Sequence, residues 1–218
     1  MPSPRRPSRI AALALLALLS ASAGRAAEEL PPNRPRVPYQ GVFAVAFKGE
    51  IAPREQHEFE DQVTIAVSGR RLLQESRAGN PRMTLMDLAK GEVLEFDPED
   101  PDKVVERVAP EDVPPVVFVD GSSVFEEFGA PEAVGNEQVA GQPCTLLRFG
   151  DPEKEGAEAC VTPDGIVARA RLRLPGFERS WTAESLTKGP VADSRFALPE
   201  GFAAPGSSEA KASAPQAD

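Results

Sequence analysis

The stretch Ile166-Val167-Ala168-Arg169-Ala170-Arg171-Leu172-Arg173-Leu174 decides the fold class. Ile166, Ala168, Ala170, Leu172 and Leu174 fall on one side of a period of two, and Arg169, Arg171 and Arg173 on the other. That alternation is the signature of a half-buried strand. Pro175-Gly176 follows, and Phe177–Leu186 then reads as a second strand. If Pro175-Gly176 is a two-residue turn, Arg173 sits opposite Glu178 and Ala170 opposite Trp181. Opposite charges then pair on the wet face, and a small residue makes room for a large ring on the dry one. Pro-Gly favours a type II turn over the primed turns common in hairpins, so this register is an expectation to be checked. The same register turns Arg179 to the apolar side, beside Trp181 and Leu172. A charge there needs a partner, a ligand oxygen or a watery cavity, or else a strand end from which to snorkel.

The pattern repeats outward from this hairpin. Strands are readable at Glu137–Ala140, Thr145–Phe149 and Ala157–Thr162. Nearer the N-terminus, Gly41–Lys48 sets Phe43, Val45 and Phe47 on one face, and Phe59–Val67 does the same for Phe59, Val63, Ile65 and Val67. Leu72–Arg77, Met83–Leu88, Val93–Phe96 and Lys103–Val108 complete the series, separated by Ser68-Gly69-Arg70, Gly79-Asn80-Pro81, Lys90-Gly91 and the Pro-rich acidic run Asp97–Asp102. Short strands at a spacing of about ten residues with tight turns predict a mainly β chain, an antiparallel meander. One stretch, 110–133, interrupts it. Ser123 and Glu126 have the spacing of a capping box, which predicts a short helix with Val124, Phe125 and Phe128 along one side. That segment reads as a lid over the sheet or as a plain crossover filling core.

The ends read differently. Arg5, Arg6 and Arg9 precede the uncharged run Ile10–Leu19 and a series of small residues, the three-part layout of a secretory signal peptide cleaved after Ala26. The run is short for a membrane span, so no transmembrane anchor is expected after cleavage. Residues 27–38 form an extended Pro-rich leader, 39–202 a single β domain, and 203–218 a tail without large apolar residues that cannot offset the entropy of ordering. The formal charge is −10, and loss of Arg5, Arg6, Arg9 and Arg25 with the signal would take it to −14. Such acidity argues against a nucleic-acid partner. The chain has two cysteines, an even pair in a protein bound for an oxidising compartment. A Cys144–Cys160 disulfide is expected, closing a loop of about 15 residues worth about 3 kcal/mol.

Chemistry-bearing patterns are scarce. His57 is the sole histidine and opens a strand beside Glu58, Glu60 and Asp61, which is short of a metal site or a triad. Asp97–Asp102 lacks the Gly and distal Glu of a calcium loop and reads as a stiff surface turn. No nucleophile elbow, phosphate loop or dinucleotide fingerprint occurs, so no catalytic residues, metal or cofactor are assigned and enzyme function is not expected.

The order of features resembles the periplasmic lipoprotein-carrier (LolA/LolB-like) superfamily. The residues carrying the likeness are strand Gly41–Lys48, the Lys90-Gly91-Glu92-Val93-Leu94-Glu95-Phe96-Asp97-Pro98 hairpin, Gly141-Gln142-Pro143-Cys144, the turn Thr162-Pro163-Asp164-Gly165-Ile166, and the closing Phe196-Ala197-Leu198-Pro199-Glu200-Gly201-Phe202. Where the carriers have an Arg-Pro and Phe-Arg-Trp signature, Gly69–Arg77 stands here, which is closer to exported relatives of the carriers. The resemblance implies a curved, incompletely closed antiparallel barrel whose concave side, covered by helix, accepts acyl chains. In such a sheet Phe43, Phe47, Val63, Ile65, Val67, Met83, Leu85 and Trp181, with Arg179, would line an apolar hollow. The expected function is that of a non-enzymatic periplasmic protein binding a lipid or the acyl chain of a lipoprotein. The rival is a cell-envelope interaction module with a closed core, no ligand and a protein partner.

Overall fold

A computed structural model describes residues 34–52, 55–77, 81–109 and 128–206. Among them, eleven strands form a single sheet: β1 (Tyr39–Ala52), β2 (Glu55–Ser68), β3 (Arg71–Ser76), β4 (Arg82–Asp87), β5 (Glu92–Phe96), β6 (Val105–Val108), β7 (Glu132–Val139), β8 (Gln142–Asp151), β9 (Glu155–Val161), β10 (Val167–Leu174) and β11 (Phe177–Lys188). Each strand read from the alternation is present. The spatial order is β6-β5-β4-β3-β2-β1-β11-β10-β9-β8-β7, antiparallel throughout, so the first and last strands lie side by side near the middle. The sheet is curved and open, an incomplete barrel with β6 and β7 as its edges.

The hairpin that decided the fold class has the expected register, with Arg173 opposite Glu178 and Ala170 opposite Trp181. Gly176 takes a φ of 74°, the left-handed conformation that the second central position of a type II turn requires. The interruption at 110–133 is only partly described. Val124 and Phe125 lie outside the described residues. Glu132 and Ala133, expected at the end of that segment, are instead the first residues of β7 and pair with Arg148 and Leu147.

Following the pairings across the sheet assigns every side chain to one of two faces, because directly opposed residues point the same way. One face carries Tyr39, Phe43, Val45 and Phe47 of β1, Phe59, Val63, Ile65 and Val67 of β2, Leu72 of β3, Ala170 and Leu172 of β10, and Phe177, Arg179, Trp181 and Ala183 of β11. It holds the larger core, in which Phe43, Val63, Ile65 and Trp181 are fully buried. The opposite face carries the arginine stripe over β10. Over β2 to β6, however, that same opposite face holds a second core of Ala66, Leu73, Leu85, Leu94, Phe96 and Val105.

The second core is covered by the chain that leaves β11. A 3-10 turn at Asp193–Phe196 and the extended residues after it lay Val191, Phe196, Leu198, Phe202 and Ala204 on these strands. Ion pairs fasten this strap: Arg71 to Asp193 at 2.6 Å and Arg195 to Glu75 at 3.1 Å. Lys103 donates to the Glu200 carbonyl, and its side chain fills the space where a Cβ on Gly201 would sit. Cys144 of β8 and Cys160 of β9 form the expected disulfide, with Cα atoms 5.3 Å apart.

Candidate functional site

The larger core does not end cleanly. Where β1, β2 and β11 approach the Pro175-Gly176 turn, Phe47 lies opposite both Phe59 and Arg179. Phe47 stacks on Phe59 with ring centroids 5.1 Å apart and meets Phe177 edge-on at 5.2 Å. Both arrangements are ones that aromatic quadrupoles favour. Phe59 is 44% exposed, and Phe47 and Phe177 are half-buried. The sheet therefore presents three rings as a partly uncovered apolar patch, continuous with the buried face that runs to Trp181.

Arg179 stands within this patch. Its cross-strand neighbours are Phe47 and Leu172, and its same-face neighbours along β11 are Phe177 and Trp181. No acid occupies any of these positions. Arg179 Nε is buried and has no hydrogen-bond partner among the described residues. Burial pushes the guanidinium pKa below its ordinary value, and arginine side chains stay charged in proteins. Asp61, on the same face, is engaged by the Ser76 hydroxyl and the Arg77 amide.

The expected ligand-cavity residues divide three ways. Phe43, Val63, Ile65, Val67 and Trp181 face the predicted side but are packed into the core, so they fill space rather than line a hollow. Phe47 and Arg179 are at the exposed end. Met83 and Leu85 are a correction: they lie on the opposite face, because Leu85 pairs with Leu73 and Met83 with Glu75, and both belong to the core under the strap. Of the expected lid, Phe128 is described; it packs against the larger core. Phe59 and Phe177 were missing from the predicted set. Parity was the available signal, since Phe59 shares a face with Val63, and Phe177 with Trp181.

The other candidates resolve into structural roles. Arg169 pairs with Glu137 at 2.9 Å, Arg171 with Glu178 at 2.8 Å, and Arg173 with Glu178 at 2.7 Å, so the stripe is internally neutralised. Glu184 of β11 accepts from Gln62 of β2. A groove of about 540 Å³ opens there over Ala44, Ala46, Ser180 and Thr182, edged by Glu60, Gln62 and Glu184. It is open, and its lining mixes apolar and polar groups. Asp97 and Asp100 spend their carboxylates on the amides of Glu99, Asp102 and Val104 within their own turn. His57 is exposed on β2. Among the described residues no cluster of metal ligands occurs, and no helix is long and apolar enough to cross a membrane.

No protein-family model matches the sequence, and no curated protein matches it. Solved structures do. A chain of the MucA/MucB complex from Pseudomonas aeruginosa is 19% identical with a TM-score of 0.48, over 76% of this chain and 57% of that one. This chain thus spans little more than half the length of that relative. A LolA superfamily protein from Nitrosomonas europaea is 11% identical with a TM-score of 0.39, over 75% of this chain and 91% of that one. A conserved protein from Thermus thermophilus is 11% identical with a TM-score of 0.47, over 76% and 87%.

Proposed function

We propose that this is an exported, non-enzymatic periplasmic protein that holds an acyl chain, from a lipid or a lipid-modified protein, against the uncovered end of the Trp181 face. The observation that carries the reading is the Phe47–Phe59–Phe177 cluster: Phe47 touches both of the other rings, the group continues the core face, and Phe59 is left 44% exposed. Contiguous exposed apolar surface is a feature of ligand grooves and interaction sites. The basic, apolar and small-residue order of residues 1–26 supports export.

Magnitude sets a condition on the ligand. Each methylene removed from water contributes about 0.8 kcal/mol. Association costs about 4–15 kcal/mol in lost freedom, so about twelve methylenes are needed to offset the middle of that range. Long chains bind and short ones do not. Titrating the protein with an environment-sensitive dansyl fatty acid tests this: saturable binding that weakens in Phe59→Ser and with shortened chains is the expected result. Non-saturable fluorescence, or binding indifferent to Phe59, overturns it.

A second reading, docking of an envelope protein on a closed scaffold, is favoured by the complete burial of Phe43, Val63, Ile65 and Trp181. Under it, a defined partner is captured equally well by wild type and Phe59→Ser, and no dansyl fatty acid binds.

A further inference from the structure

Resting on the acyl-chain reading above, we infer that the site is selective for amphiphiles with an acidic head, and that Arg179 is the residue that receives that head. The contrast between the two faces of one hairpin carries the inference. On the stripe face, Arg169, Arg171 and Arg173 each meet a glutamate within 3.0 Å or less of a guanidinium nitrogen. On the Trp181 face, Arg179 is ringed by Phe47, Leu172, Phe177 and Trp181 and has no ion pair among the described residues. Every arginine on the outer face of this hairpin is thus neutralised, Arg171 and Arg173 by Glu178 of β11 and Arg169 by Glu137 of β7, and the one on the apolar side is left uncompensated. Burying a charge without a partner destabilises a fold, and a well-packed apolar residue of similar volume is the more stable choice. Arg179 is half-buried, and its buried Nε lacks the acceptor that a ligand oxygen would supply.

Its chemistry matches an acidic head. A guanidinium presents a planar fork of donors that fits a carboxylate, and is less strongly hydrated than an ammonium. Phe47 lies directly across from Arg179, and Phe59 and Phe177 pack on Phe47, so head and tail subsites adjoin. A fatty carboxylate would place its oxygens on Arg179 and run its first methylenes over the three rings. The partly desolvated setting strengthens the charge-assisted bond relative to water.

The test compares 11-(dansylamino)undecanoic acid with its methyl ester, in wild type and in Arg179→Gln and Arg179→Met variants. The acid is expected to bind wild type about ten- to a hundredfold tighter than the ester, the range for a hydrogen bond to a charged group. Both variants lose that preference while keeping ester affinity, and Arg179→Met raises the unfolding midpoint. Equal binding of acid and ester by wild type overturns the selectivity and leaves the acyl-chain reading intact. Binding of neither probe overturns the acyl-chain reading itself. A preference that survives in both variants, or a lower midpoint in Arg179→Met, assigns Arg179 a packing role and overturns the inference. The fluorescence of Trp181, the sole tryptophan, reports folding of each variant before any comparison.

Discussion

Ala170 lies directly opposite Trp181 across the β10–β11 ladder, and both are buried, at 1% and 0% exposure. The methyl group is the space into which the indole fits. Ala170→Leu adds three carbons to a buried position facing a buried indole and should destabilise the protein by about 1–3 kcal/mol through overpacking. Urea unfolding followed by Trp181 fluorescence measures it. An unchanged midpoint would mean that the ring has room to move and that the core is looser than described.

That pair was legible because β10 has one wet face and one dry face, so the period of two survives in the sequence. The same rule failed at β4. Met83 and Leu85 lie beneath Phe196, Leu198 and Phe202, while Thr84 is buried on the other side of the strand. A strand covered on both faces offers no parity to read. The covering segment was invisible for a related reason: Val191 to Ala204 is mostly irregular, and its apolar residues follow no period. Closing-motif likeness pointed to Phe196–Phe202 without saying what it covers. The exposed end of the site was half legible. Arg179 stood out as a charge at an apolar position, whereas Phe59 and Phe177 needed the pairing register to reveal that they meet at Phe47.

Cys144 and Cys160 are joined and are 3% and 0% exposed. Native protein should resist thiol reagents, and should still label slowly after reductant is added, because the bond itself is out of solvent. The double variant Cys144→Ala/Cys160→Ala should lose about 3 kcal/mol of stability on the loop-closure model. Mass spectrometry of alkylated samples and denaturant midpoints check the two halves separately.

Ala140 has a φ of 49° and Gly141 of 73°, in the two-residue turn between β7 and β8. Both central positions are left-handed, the conformation for which Asn-Gly is preferred. An alanine there carries a penalty of about 1–2 kcal/mol. Ala140→Asn should therefore stabilise the protein by about 1 kcal/mol, a rise visible in thermal unfolding. No gain, or a loss, would mean that the turn relaxes in solution.

Tyr39 is the sole tyrosine and is 1% exposed at the start of β1, opposite Val67 and Lys188. Burial pushes its phenol pKa upward, because the charged form is desolvated. A raised folded pKa contributes stability that is fully present below the unfolded value of about 10 and is lost as pH rises through the folded one. Phenolate absorbance should stay low in native protein at a pH where it is complete in urea. Tyr39→Phe should flatten the alkaline fall in stability. Early titration in the native state would show that the ring is reached by water.

Glu178 accepts from Arg171 at 2.8 Å and from Arg173 at 2.7 Å, so one carboxylate holds two arginines of the stripe. Those hydrogen bonds, with Arg171 the larger influence, set its pKa below the ordinary carboxylate value. A depressed folded pKa contributes stability present above the unfolded value of about 4.3 and lost as pH falls through the folded one. The group is partly solvent-exposed, so screening trims the effect. Stability should decline on acidification below that unfolded value, and Glu178→Gln should shallow the decline while lowering stability at neutral pH. Urea midpoints measured across the acid range for wild type and Glu178→Gln check it. Parallel slopes for wild type and Glu178→Gln would show that the stripe is held by its collective field rather than by this one carboxylate.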